Sequence, residues 1–213
     1  MELGFIFDLD GVITDTAEYH YQAWKQLADE ENIPFTRQDN EALRGVPRRR
    51  SLELLLKGRV FPEDKLVEME TRKNNYYQAL LENITPGDLL PGVLPFLTEA
   101  KVTGIRLGLG SASKNAMTVI RRLGIEPLFD AIGDGYCVVN HKPAPDLFIW
   151  VAGRLGLWPT RCFVFEDAEA GVDAAIAGGF HAVGIGPAER VGRAHYILPE
   201  GLKTAHIHDF RIS

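Results

Sequence analysis

Apolar and polar positions change their period twice along this chain. The opening run Phe5-Ile6-Phe7-Asp8-Leu9-Asp10-Gly11 is apolar without alternation until two carboxylates and a glycine stop it. That pattern predicts a short strand buried on both faces, as in a parallel sheet. From 17 to 83 the spacing turns helical. Tyr21, Trp24, Leu27 and Ala28 share one face of a helix predicted over 17–32, ended by Pro34. Helices over 38–56 and 62–83 follow, parted by Gly58, and the last carries Leu66, Met69, Tyr76, Tyr77, Leu80 and Leu81. From 89 onward strands and helices alternate: helix 92–102, strand 105–109, helix 114–123, helix 145–156, strand 163–165, helix 168–178, strand 182–185 and a short strand at 196–198. Such alternation predicts an α/β fold, a doubly wound parallel sheet. The first strand belongs to that sheet, so the all-helical block is an insertion. The predicted division is a core domain of 1–15 with 87–213 and a helical cap domain of 16–86, joined through Thr14, Asp15 and Thr85 to Gly87.

Composition narrows the partners. A chain of 213 residues with 46% hydrophobic and 24% charged residues reads as an ordinary soluble globular protein. Its net charge of −6 offers a phosphate backbone no general attraction, so no nucleic acid partner is expected. The apolar runs are far too short to span a membrane, and the first strand starts too early to leave room for a signal peptide. Of the two cysteines, Cys137 and Cys162, the second lies in an apolar run and reads as a buried thiol. A cytoplasmic location is expected.

Candidate chemistry gathers where strands end, which is where parallel sheets bind ligands. Asp8 and Asp10 end the first strand; two acids there share a cation or divide nucleophilic and acid/base roles, unless they serve only turn chemistry. The strand at 105–109 runs into Gly110-Ser111-Ala112-Ser113-Lys114-Asn115, where the Ser111 hydroxyl and helix-start N–H groups suit an anion, with Ser113 read as an N-cap. Lys142 stands before Pro143 at a helix entry, an unfavourable place for a cation unless carboxylates and a phosphoryl group surround it. Alternatively it is a solvated surface lysine. Glu166 and Asp167 end the strand at 163–165; one or the other suits a Mg2+ shell shared with Asp8, or they simply complement a helix start. Each alternative is reasonable alone; together the four points to phosphoryl transfer.

In order and spacing, Asp8-x-Asp10-Gly-Val, Ser111, Lys142-Pro and Glu166-Asp167 are similar to the four motifs of the haloacid dehalogenase superfamily of phosphotransferases. The resemblance covers the whole chain and implies a Rossmann-like core beneath a helical cap. Within the superfamily, Thr16, His20, Trp24, Arg44-Gly45-Val46-Pro47-Arg48 and Arg72-Lys73-Asn74 resemble the mutases that interconvert β-D-glucose 1-phosphate and glucose 6-phosphate. What this implies is an aspartyl-phosphate enzyme working through β-glucose 1,6-bisphosphate. Asp8 would be the nucleophile and Asp10 the general acid/base, with Ser111 and Lys142 as further catalytic groups. Mg2+ would be held by Asp8, the backbone carbonyl of Asp10, Glu166 and Asp167. Substrate would be bound by Thr16, His20, Trp24, Gly45, Arg48, Ser51, Lys73, Ala112, Ser113 and Asn115.

Arg48 would take the distal phosphate, while Arg49 and Arg50 read as a solvated helix face. His20 shares a helix face with Trp24, and the resemblance makes Lys73 and Tyr77 its neighbours. Three positions depart from the usual pattern: Arg44 for a lysine, Pro47 for a small polar residue and Ala168 for a serine. They bear on sugar specificity more than on reaction class. The expected partner is a small sugar phosphate and the expected state a monomer, away from membranes. Two other readings stand beside this one: a Mg2+-dependent sugar-phosphate or phosphoglycolate-type phosphatase, and a catalytically silent binding protein. The silent reading needs a loss at Asp8, Asp10, Lys142 or Asp167, and all four are present.

Overall fold

Six strands, all parallel, form one sheet in the computed structural model, which describes residues 2–43 and 46–212. They are β1 (Gly4–Phe7), β2 (Arg106–Gly110), β3 (Ala131–Gly133), β4 (Cys162–Glu166), β5 (His181–Ile185) and β6 (Tyr196–Leu198), in the order β3-β2-β1-β4-β5-β6. The order reverses at β1: Phe7 pairs with Leu109 of β2 on one side and Phe165 of β4 on the other. A crevice opens at such a reversal, outside the carboxyl ends of the strands.

Both faces of the sheet are covered, which is why β1 and β4 are apolar throughout. On one face Phe5, Phe7 and Phe165 meet Phe96 and Leu97 of α5 (Val93–Val102), Val119 and Ile120 of α6 (Ala116–Arg122), and Phe210. The Phe7 and Phe165 rings stack with centroids 4.6 Å apart. On the other, Ile6 and Val164 pack on Phe148 and Val151 of α7 (Asp146–Leu155) and on Val172 and Ala175 of α8 (Glu169–Ala177). Cys162 is buried here, its thiol free and pushed up to about 12 by burial.

Between β1 and β2 the described residues make a cap of four helices: α1 (Ala17–Glu30), α2 (Arg37–Glu41), α3 (Arg48–Leu56) and α4 (Glu63–Leu81). Trp24, Leu27, Phe35, Leu52, Leu55 and Met69 give it an apolar cluster of its own. Tyr77, Leu81 and Ile84 instead join the cluster under the sheet, so α4 leans on both. The two connecting segments are tied together. Thr14 Oγ1 donates to the Asp88 carbonyl at 2.7 Å, and Leu90 N donates to the Ile13 carbonyl at 2.9 Å.

Three details differ from expectation. The helix predicted over 38–56 is two: α2 starts on a Thr36–Asp39 capping box, and extended Pro47 precedes α3. Arg44 and Gly45 lie outside the described residues. Strand β3 was not expected at all. Helix α6 starts after Asn115, so Ser113 is not its N-cap; the Ser113 hydroxyl oxygen accepts from Asn115 N at 3.2 Å instead. Among the described residues no helix is long and apolar enough to cross a membrane.

Candidate active site

The segment after β1 is held by backbone bonds before any side chain acts. Asp8 N donates to the Phe165 carbonyl at 2.9 Å, and Gly11 N to the Thr14 carbonyl at 2.8 Å. Gly11 has φ +82°, and a Cβ on it would lie 2.3 Å from Asp167 Oδ2. Only glycine meets both demands. Gly171 of α8 plays the same part for Glu166, whose Cδ would lie 1.9 Å from an added Cβ. Two glycines therefore let two carboxylates approach the backbone closely.

The ends of β1 and β4 bring Asp8, Glu166 and Asp167 together, all buried, with carboxylate oxygens within 4.8 Å of one another. Lys142 reaches them from the loop after β3. Its Nζ lies 2.5 Å from Asp8 Oδ1, pairs also with Glu166 Oε1, and sits over the Phe148 ring. The surface reading of Lys142 is thus overturned: it is buried. The Lys142–Pro143 peptide is cis. Burial would lower the Lys142 pKa, but Asp8 and Glu166 raise it, so the ammonium stays charged. Asp10 is pushed up to about 8, by burial first and then by the charges of Asp8 and Asp167; its Oδ1 is buried without a hydrogen bond. Burial likewise raises Glu166 to about 8, with Asp8 and Asp167 adding to it against Lys142.

These residues fit a divalent cation. Asp8, Glu166 and Asp167 offer carboxylate oxygens within 4.8 Å of one another, a hard-oxygen set that suits such an ion, and the Asp10 oxygen beside them is buried without a hydrogen bond.

Ser111 lies beneath this group, buried, its oxygen accepting from Ser113 N at 3.1 Å so that the hydroxyl proton is left to donate. Across from it the cap presents a second cluster. Lys73 Nζ lies 2.8 Å from His20 Nδ1 and over the rings of Trp24 and Tyr77, while the His20 and Tyr77 rings stack at 4.0 Å. Burial, then Lys73 and Arg48, drives the His20 pKa well down, so the imidazole is neutral. Burial and Arg48 also drive Lys73 well below the ordinary lysine range, against an opposing pull from Asp10. Thr16 is fully buried at the cap entry, its Oγ1 without a hydrogen-bond partner.

A cavity of about 300 Å³ separates the two clusters. Asp8, Asp10, Asp167, Ala112, Ser113 and Asn115 line it from the sheet side; His20, Trp24, Arg48, Ser51 and Lys73 line it from the cap. Thr16, Ser111, Lys142 and Glu166 stand behind that lining, and Gly45 lies outside the described residues. Arg50 pairs with Glu53 on the surface as expected, but Arg49 also lines the cavity, its charge met by Glu63 and Glu70.

In the sequence Asn74 stood out only within Arg72-Lys73-Asn74, without a role, and Gln78 and Arg190 were passed over. Asn74 Oδ1 accepts from Arg48 Nη2 at 2.6 Å and from Asn115 Nδ2 at 3.0 Å, tying cap to core across the cavity. Gln78 Nε2 donates to Asn115 Oδ1 at 3.2 Å. Both occupy the α4 face that carries Lys73 and Tyr77, a three-to-four-residue spacing that points to them. Arg190 approaches Asp167 from beyond β5 and obeys the strand-end rule that marks Asp8.

A sequence model of the haloacid dehalogenase-like hydrolases matches residues 3–179. The β-phosphoglucomutase of Bacillus subtilis is 46% identical over 185 residues, covering 85% of this chain and 82% of its own length. Fructose-1-phosphate phosphatase YqaB of Escherichia coli is 33% identical over 182 residues, covering 85% of this chain and 95% of its own. The crystal structure of β-phosphoglucomutase from Clostridium difficile superposes with a TM-score of 0.94 at 40% identity, covering 98% of this chain and 95% of that one.

Proposed function

The chain belongs to the haloacid dehalogenase-like hydrolase family, and on that premise we propose that it catalyses the β-phosphoglucomutase reaction, interconverting β-D-glucose 1-phosphate and glucose 6-phosphate. The observation that carries this reading is the two-sided cavity: Lys142 and Ser111 stand behind Asp8 on one side, and Arg48 waits on the cap opposite. A bisphosphorylated sugar needs cations on both sides of its ring.

In the proposed sequence Asp8 attacks phosphorus, a bond forms from its carboxylate oxygen, and the bond from phosphorus to the sugar oxygen breaks. Asp10 gives its proton to that oxygen. In the return step Asp10 takes the proton from the other sugar hydroxyl, which attacks phosphorus and frees Asp8. A carboxyl raised to about 8 holds a proton near neutrality, the form that donates. Ser111 donates to the phosphoryl oxygens, and Lys142, paired with Asp8, offsets negative charge at the point of attack. A divalent cation, Mg2+ in this proposal, would be held by Asp8, Asp167 and the Asp10 backbone carbonyl with Glu166 alongside, and it would neutralise repulsion between the attacking carboxylate and the phosphoryl group. Thr16, His20, Trp24, Ser51 and Lys73 on the cap, with Ala112, Ser113 and Asn115 below, would enclose the sugar and exclude water. We take residues 16–86 as that cap and 1–15 with 87–213 as the core, working as a cytoplasmic monomer.

The phosphatase relative keeps one alternative in view: water, rather than sugar, relieves Asp8 of its phosphoryl group. The test supplies β-glucose 1-phosphate, Mg2+ and a trace of β-glucose 1,6-bisphosphate, and compares glucose 6-phosphate formed with inorganic phosphate released. Glucose 6-phosphate should dominate and vanish in Asp8→Asn. Dominant phosphate release would replace this reading with the phosphatase.

A further inference from the structure

Charge in the crevice is not balanced by Lys142 alone, and the end of β5 supplies a further cation. There Gly186, at φ +108°, turns the chain into the short helix α9 (Ala188–Val191). Arg190 folds back over that glycine: its Nη2 lies 2.7 Å from where a Gly186 Cβ would stand, so a side chain there would displace it. The same Nη2 is 3.9 Å from Asp167 Oδ2. That is too long for a hydrogen bond and close enough for strong attraction beside a buried carboxylate. Asp167 is only 6% exposed and Arg190 31% exposed, so water screens the pair from one side only. Arg190 Nε is buried with no hydrogen-bond partner, and Arg190 does not line the cavity. Its position therefore leaves Nε unpaired and keeps the side chain out of the cavity lining.

We propose that Arg190 is a positioning residue that competes with the divalent cation for Asp167. The inference rests on the reading that Asp8, Glu166 and Asp167 hold that cation. Without the cation, Arg190 draws Asp167 and lessens its repulsion from the acidic neighbours. With it, two positive charges lean on one carboxylate, and their repulsion loosens the ion. Arg190 thus sets a weaker, readily exchanging cation site, while keeping the cation-free crevice intact.

Full-length protein stripped with a chelator is titrated with Mn2+, free ion being followed by electron paramagnetic resonance, and is melted with and without Mg2+. Arg190→Met and Arg190→Gln should both bind Mn2+ roughly three- to tenfold tighter than wild type, the scale of a half-screened charge. Both should melt lower than wild type when cation-free, and Arg190→Lys should restore both properties. Added salt should shrink the affinity difference. Neutral variants that bind Mn2+ equally or more weakly would overturn the role given to Arg190. Wild-type protein that binds no Mn2+ would overturn the cation reading beneath it.

Discussion

A neutral histidine wedged between a lysine and a tyrosine ring makes the cap sensitive to acid. His20 has its pKa held well below 6.5 by burial, then by Lys73 and Arg48. The unfolded chain takes up a proton at His20 near pH 6.5, whereas the folded chain does so only at lower pH. Stability from this site is therefore complete above pH 6.5 and is lost as pH falls toward the depressed folded value, at up to about 1.4 kcal/mol per unit. Melting curves from pH 7.5 to 5 should fall more steeply for wild type than for His20→Gln. Parallel profiles would mean that His20 is protonated in the folded protein. At strand ends Asp8, Glu166 and Asp167 were legible in sequence because a carboxylate abutting a purely apolar run has few structural excuses, and Lys142 because a cation at a helix entry needs anions around it. The role of Asn74 and the presence of Gln78 were not, since a polar side chain in mid-helix looks the same whether it meets water or a partner.

At the scale of elements, the cap owes its shape to apolar residues that the sheet does not share. Leu52 of α3 is fully buried among Trp24, Leu27 and Met69. Leu52→Ala should cost about 2–5 kcal/mol, and hydrogen exchange should quicken first in α1, α3 and α4. Equal loss of protection in β1 and β4 would show that cap and sheet unfold as one unit. Elements with long one-sided patterns, α1 and α4, and wholly apolar strands, β1 and β4, were readable because burial writes their period directly into the sequence. Strand β3 is Ala-Ile-Gly, too short to carry a period, and exists because Gly108 to Gly110 of β2 pair with it. The break between α2 and α3 was signalled by Pro47, although helix-favouring residues stand on both sides of it.

For the molecule as a whole, the link that counts is Arg48–Asn74–Asn115, the chain of side chains that joins cap to core over the cavity. Asn74→Ala removes the acceptor that aims Arg48. The KM for β-glucose 1-phosphate should rise about tenfold, the worth of one hydrogen bond to a charged group, with little change in melting temperature. An unchanged KM would show that Arg48 finds its ligand unaided. The strand order carries a further consequence, for biosynthesis. A ribosome releases β1 first, yet both its neighbours lie far downstream: Gly4 pairs with Arg106 and with Cys162. Phe5, Ile6 and Phe7 must wait, unpaired and greasy, until β2 has emerged, and their second edge stays open until β4 follows. Meanwhile the contiguous segment carrying Trp24, Leu52 and Met69 has everything it needs to collapse at once. The lid of the enzyme is finished before its floor is laid.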